Sequence, residues 1–149
     1  MMGMAAACAQ AGRFDRSIHH FDQALESLGR PRSKSTLGML WSLSVNSMRS
    51  ILVPTRWQQA SSEDARHRAA LECEILIRMV AVLIEKSVVA LFHAGFRGGV
   101  AGYRAGDDVS VEFGHVISGL MWFLSGLRPI GTLCLNRVSR IQATSSSEE

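Results

Sequence analysis

The sequence is poor in the residues that mark strand-rich and disulfide-built proteins. It holds 3 prolines, 3 cysteines and 1 tyrosine in 149 residues, and aromatics make up only 7%. Sandwiches and barrels draw on Thr, Tyr and Pro-marked turns, so the balance leans away from a β fold. Cys8, Cys73 and Cys134 lie far apart, their count is odd, and no CxxC occurs. That argues against a disulfide framework or a zinc site. It points to a reducing compartment, with the thiols as small buried apolar groups.

Long apolar runs are missing too. Leu71 to Phe96 is interrupted by Glu74, Arg78, Glu85 and Lys86. Val116 to Leu127 is clean but falls short of the roughly 18–20 residues a membrane helix needs. Met1 to Ala9 lacks the basic start of a signal peptide, and its apolar part ends at Gln10. The chain therefore reads as soluble and cytoplasmic. Charge of one sign is also modest, at +3 from 16 basic and 13 acidic residues. Arginines are scattered, where nucleic-acid binders concentrate them on one face. The densest cluster, Arg30-Pro31-Arg32-Ser33-Lys34, reads as a solvated connector.

What is present is hydrophobic content of 47%, arranged with helical period. Phe14, Ile18, Phe21, Leu25 and Leu28 share one face of a helix over 16–28, while Asp22 falls off that face. Asp15 can cap its start, and Gly29 followed by Pro31 stops it. Leu37, Leu40, Trp41, Met48, Ile51 and Leu52 form the stripe of a second helix from about Ser35 or Thr36 to Val53, ended by Pro54. A polar loop covers 54–62, and Ser62-Glu63-Asp64 supplies caps for the third helix. That helix spans about 63–84, with Ala69, Cys73, Leu76, Val80, Leu83 and Ile84 in period.

Residues 75–84 are apolar almost all round. A buried strand is the alternative there, but the helical period begins ten residues earlier without a breaker. Such a helix should be sandwiched between neighbours. A fourth helix, 87–103, carries Val89, Phe92, Phe96, Val100 and Tyr103 together with Gly95, Gly98, Gly99 and Gly102. Each interior Gly costs about 1 kcal/mol against Ala, so tertiary packing must hold it. Gly106-Asp107-Asp108 makes a turn and cap for a fifth helix to about Ser125, with Val109, Phe113, Val116, Ile117, Leu120, Phe123 and Leu124 in period. Gly126 breaks it. Pro129 fits the first turn of a sixth helix bearing Ile130, Leu133, Cys134, Val138 and Ile141. Residues 143–149 read as a disordered Ser/Glu tail. Six helices with short breaks predict an all-α fold of antiparallel hairpins.

One segment carries a resemblance. Gly12-x-Phe14-x-x-Ser17-x-x-x-Phe21-x-x-Ala24-Leu25 resembles the second half of a tetratricopeptide repeat, with Ala5 at the small position of its first helix. In the last hairpin Gly119 and Gly126 align with the small residue and the turn, and Gly131, Leu135 and Val138 take the small, aromatic and alanine places. The run Ala24-Leu25-Glu26-Ser27-Leu28-Gly29-Arg30-Pro31, then Ala90-Leu91-Phe92 and Leu124-Ser125-Gly126-Leu127, is similar to the tetratricopeptide-like region of ATPase-containing class III adenylate/guanylate cyclases and related regulators. The resemblance spans residues 1 to about 142. It implies an α-solenoid fragment of a larger signalling protein, without the cyclase or ATPase modules.

The chemical motifs are near-misses. Gly29-Arg-Pro-Arg-Ser-Lys34-Ser35 touches on a phosphate loop, but the Gly before Lys is missing, Pro31 removes an amide donor, and a helix precedes it where the motif needs a strand. His19 and His20 point about 100° apart and cannot share a metal. His67, His93 and His115 are isolated. Asp107-Asp108 reads as a cap. No GxSxG occurs, and Arg97-Gly98-Gly99 is too short for an RNA tract.

These residues predict no catalytic, cofactor or metal site. The expected role is a non-catalytic scaffold for other domains of the same chain or a partner protein. Self-association is possible; nucleic acid and membrane are not expected as partners. The inner-face positions Phe113, Val116, Leu120 and Phe123 are apolar, which suits docking better than capture of a charged peptide end. Two other readings compete. One is a membrane-associated helical protein using 75–84 and 116–127. The other is a small helical enzyme, which would need Glu74, Arg78 and His115 to converge.

Overall fold

A computed structural model of the chain describes residues 3–5, 7, 11–52, 59–106, 108–124 and 126–145. Among them the chain is all-α, with six long helices. These are α1 (Phe14–Ser27), α2 (Thr36–Leu52), α3 (Glu63–Leu83), α4 (Val88–Ala105), α5 (Asp108–Leu124) and α6 (Arg128–Ser145). A helical segment at residues 3–5 and 7 precedes them. Among the described residues no helix is long and apolar enough to cross a membrane.

Local chemistry sets the helix ends. Gly29 takes φ +68°, which lets its amide bond the Glu26 carbonyl while the Arg30 amide bonds Leu25. This pair of reversed bonds satisfies two orphan carbonyls of α1. The same pattern closes α5, where Gly126 has φ +79° and bonds Phe123 while Leu127 bonds Trp122. Ser62 and Ser87 cap α3 and α4 by accepting from Ala65 and Ala90. Asp15 does not cap α1. Arg13 holds that position without a side-chain bond, and Asp15 pairs with Lys86 at 2.9 Å from within the first turn. Asp107, Ser125, Val53, 54–58 and 146–149 lie outside the described residues. The last helix runs on to Ser145, so the expected tail is helical over its first residues.

The core lies between α1, α3 and α4. Phe21, Leu25, Leu76, Met79, Val82, Leu83, Ala90 and Ala94 fill it, with Ala5 and Met39 added from the N-terminal segment and α2. Phe14, Ile18 and Leu28 flank it half-buried, so the stripe read for α1 is the stripe that packs. The apolar length of α3 is helical and is sandwiched between α1 and α4, as its all-round character requires. Ile84 is an exception: it sits past the last turn and is exposed.

Three successive pairs, α3–α4, α4–α5 and α5–α6, pack side by side. The glycines explain how closely. A Cβ on Gly95 would meet Ile117 Cγ2 at 2.7 Å, and one on Gly131 would meet the Gly119 carbonyl oxygen at 3.0 Å. Only glycine permits these approaches, and the burial gained there offsets its poor helix propensity.

The connector after α1 departs from the hairpin expectation. Among the described residues α1 packs mainly on α3, and α2 packs on α4. The expected stripe of α2 is overturned at Leu37, Leu40 and Trp41, while the side chains of Met48, Ile51 and Leu52 lie outside the described residues. Met39 and Leu43 are buried, while Leu37, Leu40 and Trp41 face solvent. Apolar residues occur all round this helix, so period alone could not choose the face; docking onto α4 chose it.

Candidate functional site

The connector at 29–34 is solvated at Arg30, Pro31 and Lys34, as read, but Arg32 departs from that reading and is tied into the fold. Arg32 reaches back to Asp22 with two parallel bonds, Nε–Oδ1 at 2.9 Å and Nη2–Oδ2 at 3.0 Å. Both side chains are buried. A fork-on-carboxylate pair of this kind holds geometry as well as charge. Asp22, placed on the polar face by its sequence pattern, is therefore an anchor within the fold.

Arg97 of α4 ties the same connector from the other side. Its Nη1 donates to the Pro31 carbonyl at 2.9 Å and its Nη2 to the Arg30 carbonyl at 2.6 Å. Its Nε donates to Glu72 Oε1 at 2.9 Å. Glu72 is buried in α3 and has Arg30 as a second, looser partner at 3.9 Å.

Around these groups lies a cavity of about 620 Å³. Arg97 and Arg104 stand two turns apart on α4 and share a wall with Val100 and Ala101. Ser42 and Asn46 of α2 line it as well, and Asn46 donates to Ser42 Oγ at 3.1 Å. Gly29, Arg30 and Pro31 form an edge. Arg30, Glu72 and Arg104 also border a smaller cavity of about 180 Å³, where Arg68 joins them.

Sequence reasoning missed this cluster because its members are far apart in the chain. One signal was available. Arg97 and Arg104 are the only Arg, Lys, Asp or Glu in α4, a helix otherwise of Gly, Ala and apolar residues with His93 and Tyr103. Two isolated charges seven residues apart on a buried helix must face polar partners or a cavity.

The histidines stay apart. The His19 and His20 rings are tilted by 51°, with centroids 6.1 Å apart. His67 is exposed. His93 is buried with Nδ1 lacking a hydrogen-bond partner among the described residues, and its pKa is lowered to about 4. Burial is the main cause, followed by the Arg97 and Arg32 charges. His115 is buried edge-on against Tyr103, and its Nε2 meets the Tyr103 hydroxyl. Its pKa is also lowered to about 4, by burial and then by Arg137. Burial pushes the Cys134 thiol up.

Glu74, Arg78 and His115 do not converge. Arg78 Nη2 binds Glu74 at 2.6 Å on the exposed side of α3, whereas His115 is buried against Tyr103. No described group of three His, Cys, Asp or Glu side chains is placed to hold a metal.

The other feature is apolar surface. On α2, Leu37 is 78% and Trp41 74% exposed, with Leu40 and Val45 beside them. These positions fall at i, i+3, i+4 and i+8, so they make one stripe. At the α5–α6 end Leu120, Phe123, Leu124, Leu127 and Leu133 are exposed as well. The expected inner face of α5 is thus half-buried at Phe113 and Val116 and open at Leu120 and Phe123. No family model matches the chain, and neither a curated protein nor a solved structure matches it.

Proposed function

We propose that the chain is a non-catalytic scaffold that docks its apolar helical faces against protein. The observation that carries this reading is the stripe Leu37, Leu40, Trp41 and Val45 on α2. It amounts to on the order of 400 Å² of apolar surface, as large as the patches that mark interaction sites. Helix α2 carries one charged residue in its span, Arg49. Two copies of this face therefore meet without like-charge repulsion, and the occupant we assign in solution is a second copy of the chain.

A tetratricopeptide-like organisation is part of the reading. Two contacts with the same spacing support it. Ser17 Oγ donates to the Ala5 carbonyl at 2.8 Å, across the turn at Gly12. Gly131 meets Gly119 across the turn at Gly126. In both cases the small residues that the repeat resemblance aligned are the ones that touch. The reading places the chain in the cytoplasm, within a signalling protein of the cyclase/ATPase type. The buried thiols Cys73 and Cys134 suit a reducing compartment.

Sedimentation velocity tests the docking. The expected result is association that grows with protein concentration and is abolished by Leu37→Glu with Trp41→Glu. A protein that stays monomeric up to hundreds of micromolar overturns the reading, as does association that survives both charges.

A further inference from the structure

We propose that the arginine-lined cavity between the 29–31 connector, α2, α3 and α4 binds a phosphorylated small molecule. This goes beyond the docking reading and rests on separate residues. Among the described residues, three guanidinium groups, Arg30, Arg97 and Arg104, and one carboxylate, Glu72, border the cavity. Arg68 adds a fourth across the smaller neighbouring cavity. Excess positive charge in a concave, partly desolvated place is the arrangement that recognises phosphate.

The parts divide the work. Arg97 spends its donors on Glu72 and on the carbonyls of Arg30 and Pro31, so it is a positioning residue. It fixes the edge from which Arg30 projects. The Arg30 side chain is 49% exposed and, among the described residues, makes only the 3.9 Å contact to Glu72, so its fork can turn onto a ligand. The connector amides take no part: Gly29 and Arg30 donate backwards into α1. The site thus differs from a phosphate loop, which works through its amides. The Arg30 guanidinium does the binding, in the positive field of the Arg97 and Arg104 guanidiniums beside it.

Size and polarity narrow the ligand. A volume of about 620 Å³ is far larger than a bare phosphate needs and falls in the range of small-molecule sites. Ser42 and Asn46 offer hydrogen bonds to a hydroxyl-bearing body, and Val100 and Ala101 offer a small apolar contact. A phosphate ester with a polyol or nucleoside body matches all of these.

Calorimetric titration tests the site with ATP, inorganic pyrophosphate and adenosine as probes. ATP and pyrophosphate should bind, adenosine should not, and affinity should fall as salt rises. Arg30→Glu should weaken both phosphates at least tenfold, read in protein whose helical fold is checked by circular dichroism. Ser42→Ala should weaken ATP more than pyrophosphate. Arg104→Gln provides a second reduction of the charge, read only in the folded fraction by circular dichroism. Absence of heat with either phosphate at millimolar concentration overturns the proposal, as does binding unchanged in Arg30→Glu. Tighter binding of polyglutamate than of ATP also overturns it, by assigning the surface to an acidic protein tail. None of these outcomes depends on self-association, and each can be read in the protein carrying Leu37→Glu with Trp41→Glu.

Discussion

Alanine at Gly95 and alanine at Gly98 should have unequal effects on stability, with the Gly98 variant the more stable of the two. The two positions lie three residues apart in α4 and both are buried. Each substitution gains about 1 kcal/mol in helix propensity, so that contribution cancels in the comparison. Space does not cancel. A Cβ at Gly95 would lie 2.7 Å from Cγ2 and 3.1 Å from Cγ1 of Ile117. Ile117 is β-branched and stiff within a helix, so it cannot swing aside. Helices α4 and α5 must then separate, at an overpacking cost of about 1–3 kcal/mol. A Cβ at Gly98 meets Leu76 Cβ at 3.5 Å, an ordinary contact. Gly98→Ala should therefore stabilise by up to about 1 kcal/mol, and Gly95→Ala should fall below it by about 1–3 kcal/mol. Urea unfolding followed by circular dichroism reads both midpoints, with equal slopes needed for the comparison. Two midpoints displaced in the same direction by the same amount would refute the packing argument for α4.

Three further outcomes follow from the same contacts. His93 and His115 are held neutral with pKa values near 4, so the unfolded chain takes up protons through about 6.5 while the folded chain does not. Stability is then complete above pH 6.5 and is lost as pH falls towards 4, by roughly 3 kcal/mol per histidine. Urea midpoints at pH 7.5, 5.5 and 4.5 should decline, less steeply in His93→Gln; a flat profile contradicts the burial of these rings. Arg32→Ala leaves the Asp22 carboxylate buried without its partner and should cost about 3–5 kcal/mol, with Asp22→Ala in the same chain recovering part of it. Strictly additive effects in that cycle would show that the pair is not coupled. Leu76→Ala, at a fully buried position, should lose about 2–5 kcal/mol in the same urea assay, and a loss under 1 kcal/mol would place it outside the core.

The parts of the fold legible in the sequence are the ones fixed locally. Gly29, Ser62 and Gly126 mark helix ends because their own backbone or hydroxyl satisfies groups within a few residues. The stripe of α1 was legible because its apolar residues occupy one face only. Helix α2 was not, since Met39 and Leu43 compete with Leu37, Leu40 and Trp41 and only the position of α4 decides between them. The cavity was less legible still. Arg97 meets Glu72 across 25 residues and the Arg30 carbonyl across 67, and no local pattern encodes either contact. A polar residue such as Asp22 is read as solvated unless its partner is known. Here the partner lies beyond the Gly29 turn.

The docking claim is met most directly by photo-cross-linking from α2. A benzophenone amino acid replaces Trp41 in one protein and Glu74, an exposed position on α3, in another. The account predicts covalent dimers from position 41, with the cross-link mapping to α2 of the second copy, and none from position 74. Equal cross-linking from both positions, or none from position 41 at concentrations where the chain associates, would contradict it.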